Sequence, residues 1–201
     1  MATSLTGIGV CWACLSMAAA LLCCSGFYLP FWIQGRLLGA VDAYFGSFRR
    51  CNYPRVSPSS GLIEIVEECG RYSRFRDIPS VWWQVCTILV GTGSALSLLV
   101  ALTAAAACCI TYVIHTGSAR LAGALQLIAA ILVAGGAALY PIGWDNREVK
   151  ESCGNTSGIY DLGTCRLSWS AYLMVSGAGL LVLCFSLSFR ASRVKPGSFR
   201  I

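Results

Sequence analysis

Four stretches of the chain contain no Lys, Arg, Asp or Glu: residues 1–35, 78–119, 121–144 and 167–189. No other feature constrains the fold as much. A helix rises about 1.5 Å per residue, so about 20 apolar residues cross the hydrocarbon of a bilayer. Each stretch is long enough for one crossing. Spans are expected near Ile8–Pro30, Val81–Ile114, Ala119–Tyr140 and Ser168–Phe189. The second is longer than a bilayer requires, so one end should project beyond the lipid. Composition agrees: 12% of residues are charged and 56% hydrophobic, where soluble domains carry about 25% charge. So little charge cannot cover a surface in water, and disorder needs the opposite balance.

Charge asymmetry sets the orientation. Arg120 lies in the short loop between spans two and three, with the single histidine, His115. Arg190, Arg193, Lys195 and Arg200 lie in the tail. That side has five basic residues and no acid, whereas all nine acids lie in the two long loops with ten basic residues. The short loop and both termini are therefore expected to be cytoplasmic, and the location is expected to be the plasma membrane. Tyr28, Trp32, Trp82, Trp83, Tyr140, Trp144, Trp169 and Tyr172 fall near the outer helix ends, Trp12 and Tyr112 near inner ones, as aromatic belts do. A cleaved signal peptide ending near Ala18–Ala20 fits poorly, because no basic n-region precedes an over-long apolar run.

Cys51, Cys69, Cys153 and Cys165 are the cysteines of the two outer loops. An even number in an oxidising compartment reads as disulfides, and four cysteines allow three connectivities. Pairing Cys51 with Cys69 and Cys153 with Cys165 closes the shortest loops and is the expected arrangement. Each bridge would add about 2–4 kcal/mol by restricting the unfolded loop. Cys11 and Cys14 form a CxxC, but inside lipid they read as small apolar residues, not a redox pair. Cys108 and Cys109 fit helix packing better than S-palmitoylation. Asn155-Thr156-Ser157 is a glycosylation sequon on the outer side.

The first outer loop, near residues 31–80, reads as ordered. Tyr44–Tyr53 and Leu62–Val66 suggest strands of an antiparallel hairpin around a turn at 54–61. The second, near 141–167, has room for one more strand. Ser80 is a suitable N-cap for the second span.

The loop residues have a recognisable order. Phe48-Arg49-Arg50-Cys51-Asn52-Tyr53-Pro54 is followed by Val66-Glu67-Glu68-Cys69-Gly70-Arg71-Tyr72. Ala138-Leu139-Tyr140-Pro141-Ile142-Gly143-Trp144-Asp145 comes next, with Glu148-Val149, Cys153-Gly154, Leu162-Gly163-Thr164-Cys165 and Trp169. In these stretches the chain resembles the lipoma HMGIC fusion partner-like tetraspans, a branch of the claudin-like superfamily, over nearly its whole length. The resemblance implies a left-handed four-helix bundle under an extracellular antiparallel sheet built from the two outer loops. Residues 1–201 then form one tetraspan domain, with a cytoplasmic tail over 190–201. It also implies accessory roles, since relatives serve inhibitory ligand-gated receptors or the hair-cell mechanotransduction complex. The claudin signature Trp-Gly-Leu-Trp is missing before Cys51, which argues against a tight-junction role.

Small residues bring helices close in lipid. Gly93, Ser97, Ala101, Ala105 and Cys109 on the second span should face Ala130, Ala134 and Ala138, with Gly135 and Gly136, on the third. A partner would then meet the larger residues of spans one and four. Gln126 is the deepest strongly polar side chain and reads as an interhelical hydrogen bonder. No acid or base lies deep within any span, where pumps and carriers usually need one. One histidine provides no zinc or catalytic pair, and phosphate-loop, GxSxG and HExxH motifs are missing. No catalytic residue, metal site or cofactor is expected. Glu64, Glu67 and Glu68 read as a solvated strand face or as partners of Arg49, Arg50 and Arg71. Phe199-Arg200-Ile201 weakly matches a C-terminal groove ligand; Arg190, Arg193 and Lys195 suit the anionic inner leaflet. The expected function is an accessory subunit that binds a channel, receptor or adhesion protein, without nucleic acid or small-molecule substrate. The alternative is a claudin-like homo-oligomeric adhesion or barrier protein.

Overall fold

The computed structural model describes residues 7–37, 41–56, 61, 63–109 and 116–191. His115, Tyr112, Arg193, Lys195 and the Phe199–Ile201 terminus lie outside the described residues, as does the far end expected for the second span. Four helices are long and apolar enough to cross a membrane: α1 (Gly7–Tyr28), α2 (Val81–Cys109), α3 (Thr116–Leu139) and α5 (Trp169–Ala191). A short 3-10 turn, Tyr140–Trp144, prolongs α3, and α4 (Arg147–Ser152) follows it. The first long loop forms strands β1 (Ile33–Leu37), β2 (Val41–Phe45), β3 (Arg49–Val56) and β4 (Ile63–Arg71). The second adds β5 (Arg166–Leu167). All neighbours in the sheet, ordered β4-β3-β2-β1-β5, run antiparallel. The protein is thus a multi-pass tetraspan with a small antiparallel sheet.

The described chain forms two compact units. The first holds α1 up to Cys24, α2 from Val90, α3 up to Ala134 and α5 from Leu173. Its helices meet through small residues. A side chain on Gly93 would come within 2.9 Å of the Ala129 carbonyl, and one on Gly177 within 3.2 Å of the Cys23 backbone nitrogen. Trp12, Ala13, Val100, Ala104 and Cys184 form a core cluster from three helices, with Leu125 of α3 packed against it. Inside this unit Trp12 Nε1 donates to Gln126 Oε1 (3.0 Å), and Gln126 Nε2 donates to Ser16 Oγ (2.7 Å). The Ser16 hydroxyl donates to the Trp12 carbonyl (2.7 Å). Gln126 is therefore an interhelical hydrogen bonder, and a satisfied one, as a polar group in lipid must be.

Two expectations change here. Trp12 is fully buried, not at an interface; its indole N–H has its acceptor, Gln126 Oε1, in the core. The small-residue rows drift. Gly93, Ser97 and Ala101 are buried, but Ala105 is half-buried, with Ala104 and Ala107 inside instead. On α3, Ala134 and Ala138 are exposed while Gln126, Ala129, Ala130 and Val133 are buried. Steps of four advance about 40° beyond a full turn, so a strict four-residue row leaves the packed face within three steps. Spacings of three and four must alternate. Large apolar residues point outward from all four helices, including Ile88, Leu99, Leu121 and Ile131. Burial therefore gives spans one and four no special claim to a partner.

The second unit holds Ser25–Leu89 and Gly135–Tyr172. Tyr44–Tyr53 is not a continuous strand. Gly46 N donates to the Arg49 carbonyl (2.8 Å), turning β2 into β3. A side chain at Gly46 would lie 3.0 Å from Pro30 Cα, so glycine suits this turn. Ser80 does cap α2, its hydroxyl accepting from Trp82 N (3.2 Å). The aromatic belt divides by partner. Tyr28, Trp82, Trp169 and Tyr172 are exposed, whereas Trp32, Trp83, Tyr140 and Trp144 are buried. Trp83 stacks on Tyr140 (4.9 Å), and Trp32 meets the same ring edge-on (4.7 Å). Their polar tips are satisfied: Trp32 Nε1 by Gly26 O, Trp83 Nε1 by Tyr140 O, and the Tyr140 hydroxyl by Phe45 O. Large rings with one polar tip serve in a core as well as at an interface.

Candidate interaction surface

The sheet is fastened at three points within the second unit. Cys51 and Cys69 stand directly opposite each other on β3 and β4 and are joined by a disulfide. Cys153 and Cys165 close the second loop around residues 154–164. The third fastening is electrostatic. Arg50 Nη1 on β3 donates to Glu148 Oε1 on α4, and the Tyr72 hydroxyl donates to Glu148 Oε2 at 2.8 Å. The Arg50 guanidinium also lies over the Tyr53 and Tyr72 rings, 4.3 and 4.6 Å from their centroids. Burial first, and then the Glu148 carboxylate, hold the Tyr72 phenol well above its ordinary range. Tyr72 therefore stays a neutral donor to a charged acceptor, the stronger kind of hydrogen bond.

This cluster ties the first long loop to the second. Two close approaches reinforce it. A side chain on Gly35 of β1 would meet Cys165 Sγ and lie 2.9 Å from the Ser152 carbonyl, so β1 lies tight on the second loop. Asn52 occupies the left-handed region (φ 56°) at the β3 bulge, and its amide donates to the Asp42 carbonyl (2.6 Å). Asn tolerates this conformation better than most side chains.

Glu64, Glu67 and Glu68 lie exposed along β4. None enters the described ion pairs, so they form the solvated face and not the salt bridges to Arg49, Arg50 and Arg71. Arg50 instead pairs with Glu148, 98 residues away. The signal was present in the loop stretches holding Arg50, Tyr72 and Glu148, but nothing in spacing joins them. β4 is a sheet edge, and its charges suit an edge that avoids indiscriminate pairing. Other exposed apolar side chains of this unit are Phe75 after β4, Ile159 and Tyr160 in the second loop, and Leu167 on β5 at the opposite edge of the sheet. Asn155 is exposed with φ 60°, while the Ser157 hydroxyl of its sequon is buried and donates to the Trp144 carbonyl (3.4 Å). Cys11 and Cys14 are exposed on α1, Cys108 is half-buried and, among the described residues, no cluster of metal-binding side chains forms.

The family model described as lipoma HMGIC fusion partner-like protein matches residues 8–193. The chain is similar to LHFPL tetraspan subfamily member 3 protein of Danio rerio: 28% identical over 180 residues, covering 89% of this chain and 79% of the relative. It is equally similar to LHFPL tetraspan subfamily member 4 protein of Mus musculus and of Homo sapiens. Each is 28% identical over 181 residues, covering 89% of this chain and 69% of the relative.

Proposed function

Because the chain belongs to the lipoma HMGIC fusion partner-like family of tetraspans, we propose that it is a non-enzymatic accessory subunit binding another integral membrane protein. The carrying observation is that each long loop is closed by its own disulfide and the Arg50–Glu148–Tyr72 cluster joins the two. A surface held in one shape loses little conformational entropy on binding, which suits recognition by complementarity. The exposed β4 edge and the Ile159-Tyr160 turn supply chemically distinct contacts. In this reading the sheet is extracellular, both termini are cytoplasmic, and the protein works at the plasma membrane. Asn155 carries a glycan. Because the Ser157 hydroxyl is turned inward in the folded loop, that glycan is added before the Cys153–Cys165 loop closes.

The test is purification from native membranes in mild detergent, with mass spectrometry of co-eluting proteins. A stoichiometric channel, receptor or adhesion protein is expected, and Arg50→Ala should reduce its recovery. Recovery of the chain alone, as discrete oligomers, would overturn the accessory reading in favour of homophilic adhesion. Endoglycosidase treatment should shift the wild-type band and leave Asn155→Gln unchanged.

A further inference from the structure

A cleft of about 260 Å³ opens where the end of β4 turns toward α2. Its exposed lining residues include Arg71, Ser73, Arg74 and Phe75, and its buried ones include Ile78. The ion pairs of the described residues use Arg36, Arg50, Arg147 and Lys150, but not Arg71 or Arg74. Arg71 also stands directly across the sheet from Arg49. Like charges in that position repel, so an anion placed there relieves a cost already present. Arg49 is engaged elsewhere, with its guanidinium over the Tyr28 ring (4.3 Å) and Nη1 donating to the Tyr28 carbonyl. It adds field and no contact. Of the nearby acids, Asp77 accepts from the Arg74 backbone N–H (2.9 Å), and Glu148 is engaged with Arg50 and Tyr72.

The neighbouring helix identifies the anion. Thr87 also lines the cleft. It lies six residues beyond Val81, the first residue of α2, and so about 9 Å along the span. Its hydroxyl is committed to the Ser47 and Trp83 carbonyls, as the Tyr72 hydroxyl is to Glu148. The cleft thus runs from two solvent-exposed arginines past Phe48, Phe75 and Ile78 to Thr87 on α2. The abundant anion beside the end of a spanning helix is the phosphate of a phospholipid. Guanidinium forks match phosphate oxygens in pairs, while Phe48, Phe75 and Ile78 suit the glycerol and first methylenes. Ligand pockets usually measure about 300–1,000 Å³, so this smaller one takes a headgroup and not a whole lipid. We propose that the Arg71–Arg74 cleft binds the phosphodiester headgroup of a phospholipid in the leaflet on the side of the long loops.

Native mass spectrometry of the full chain, released from detergent and titrated with phosphatidylglycerol, tests this. Diacylglycerol and inorganic phosphate serve as parallel probes. One retained phosphatidylglycerol is expected, bound about tenfold or more weakly by Arg71→Gln/Arg74→Gln. Diacylglycerol should not bind, and inorganic phosphate should not displace the lipid. Equal retention by wild type and variant would overturn the proposal, and so would equal binding of diacylglycerol. Occupancy by inorganic phosphate alone would overturn it in favour of a soluble anion. The melting transition in lipid-free detergent checks that the variant folds. If it does not, Arg71→Lys/Arg74→Lys replaces it, keeping charge but losing the fork. Weakened binding then supports the proposal and unchanged binding refutes it.

Discussion

The Arg50–Glu148 pair offers the sharpest quantitative test of how the two loops are joined. The two side chains are 21% and 26% exposed, so about three-quarters of each is withdrawn from water. Exposed pairs contribute about 0–1 kcal/mol, and breaking a fully buried pair costs about 3–5 kcal/mol. This pair lies between those limits. Glu148→Gln removes the charge facing Arg50 and weakens the acceptor of the Tyr72 hydroxyl, so two charge-assisted contacts suffer. The expected loss is about 2 kcal/mol. Arg50→Gln should cost a similar amount, with the guanidinium contacts to the Tyr53 and Tyr72 rings lost as well. The double variant should be less destabilised than the sum of the singles by at least about 1 kcal/mol, because contacting groups are not additive. Unfolding by sodium dodecyl sulfate in mixed micelles, followed by tryptophan fluorescence, measures all four corners of the cycle. Additivity within about 0.5 kcal/mol would refute the claim that this contact fastens one loop to the other.

Other expectations rest on separate features. Cys51→Ser and Cys69→Ser should each lower surface delivery, since about 3 kcal/mol of loop restriction is lost; normal delivery of both, by surface biotinylation, would count against a structural disulfide. Gln126→Leu should destabilise by about 0.6–1.7 kcal/mol, between the average and the maximum measured for polar contacts between membrane helices, and Trp12→Phe should cost less in that background than alone. Gly123→Ala would overlap the Ser188 side chain, with Cβ atoms 2.7 Å apart, and should cost about 1–3 kcal/mol. Gly135→Ala meets nothing within 4 Å and should be neutral or stabilising, so equal thermal shifts for these two would contradict the packing. Tyr72 keeps its proton in the folded protein, while tyrosines in the unfolded chain lose theirs from about pH 10. The unfolded state then binds fewer protons, so stability falls as pH rises above about 10 and is flat below it. Tyr72→Phe should show a shallower alkaline decline in melting temperature than wild type.

The sequence by itself determined where this chain crosses the membrane. Charge cannot be hidden in hydrocarbon, so 78–119 and 167–189 declare themselves without reference to any other residue. The disulfide partners were also within reach, because short loops favour neighbours. The strand β1 was not legible: Ile33-Gln34-Gly35-Arg36-Leu37 follows an apolar run directly, and its glycine signals a weak strand until Cys165 and the Ser152 carbonyl are seen against it. Tertiary structure also decided which aromatic residues are core and which face outward. Trp82 and Trp83 are adjacent, yet Trp82 is 44% exposed and Trp83 fully buried. That difference depends on where Tyr140 presents its ring and carbonyl. It decided the partner of Arg50 as well: three glutamates lie near it on the same loop, but Glu148, far along the chain, meets its guanidinium. Hydropathy and charge act at each residue independently and can be read in order along a chain. Packing and pairing depend on which surfaces meet, and only the folded chain brings those together.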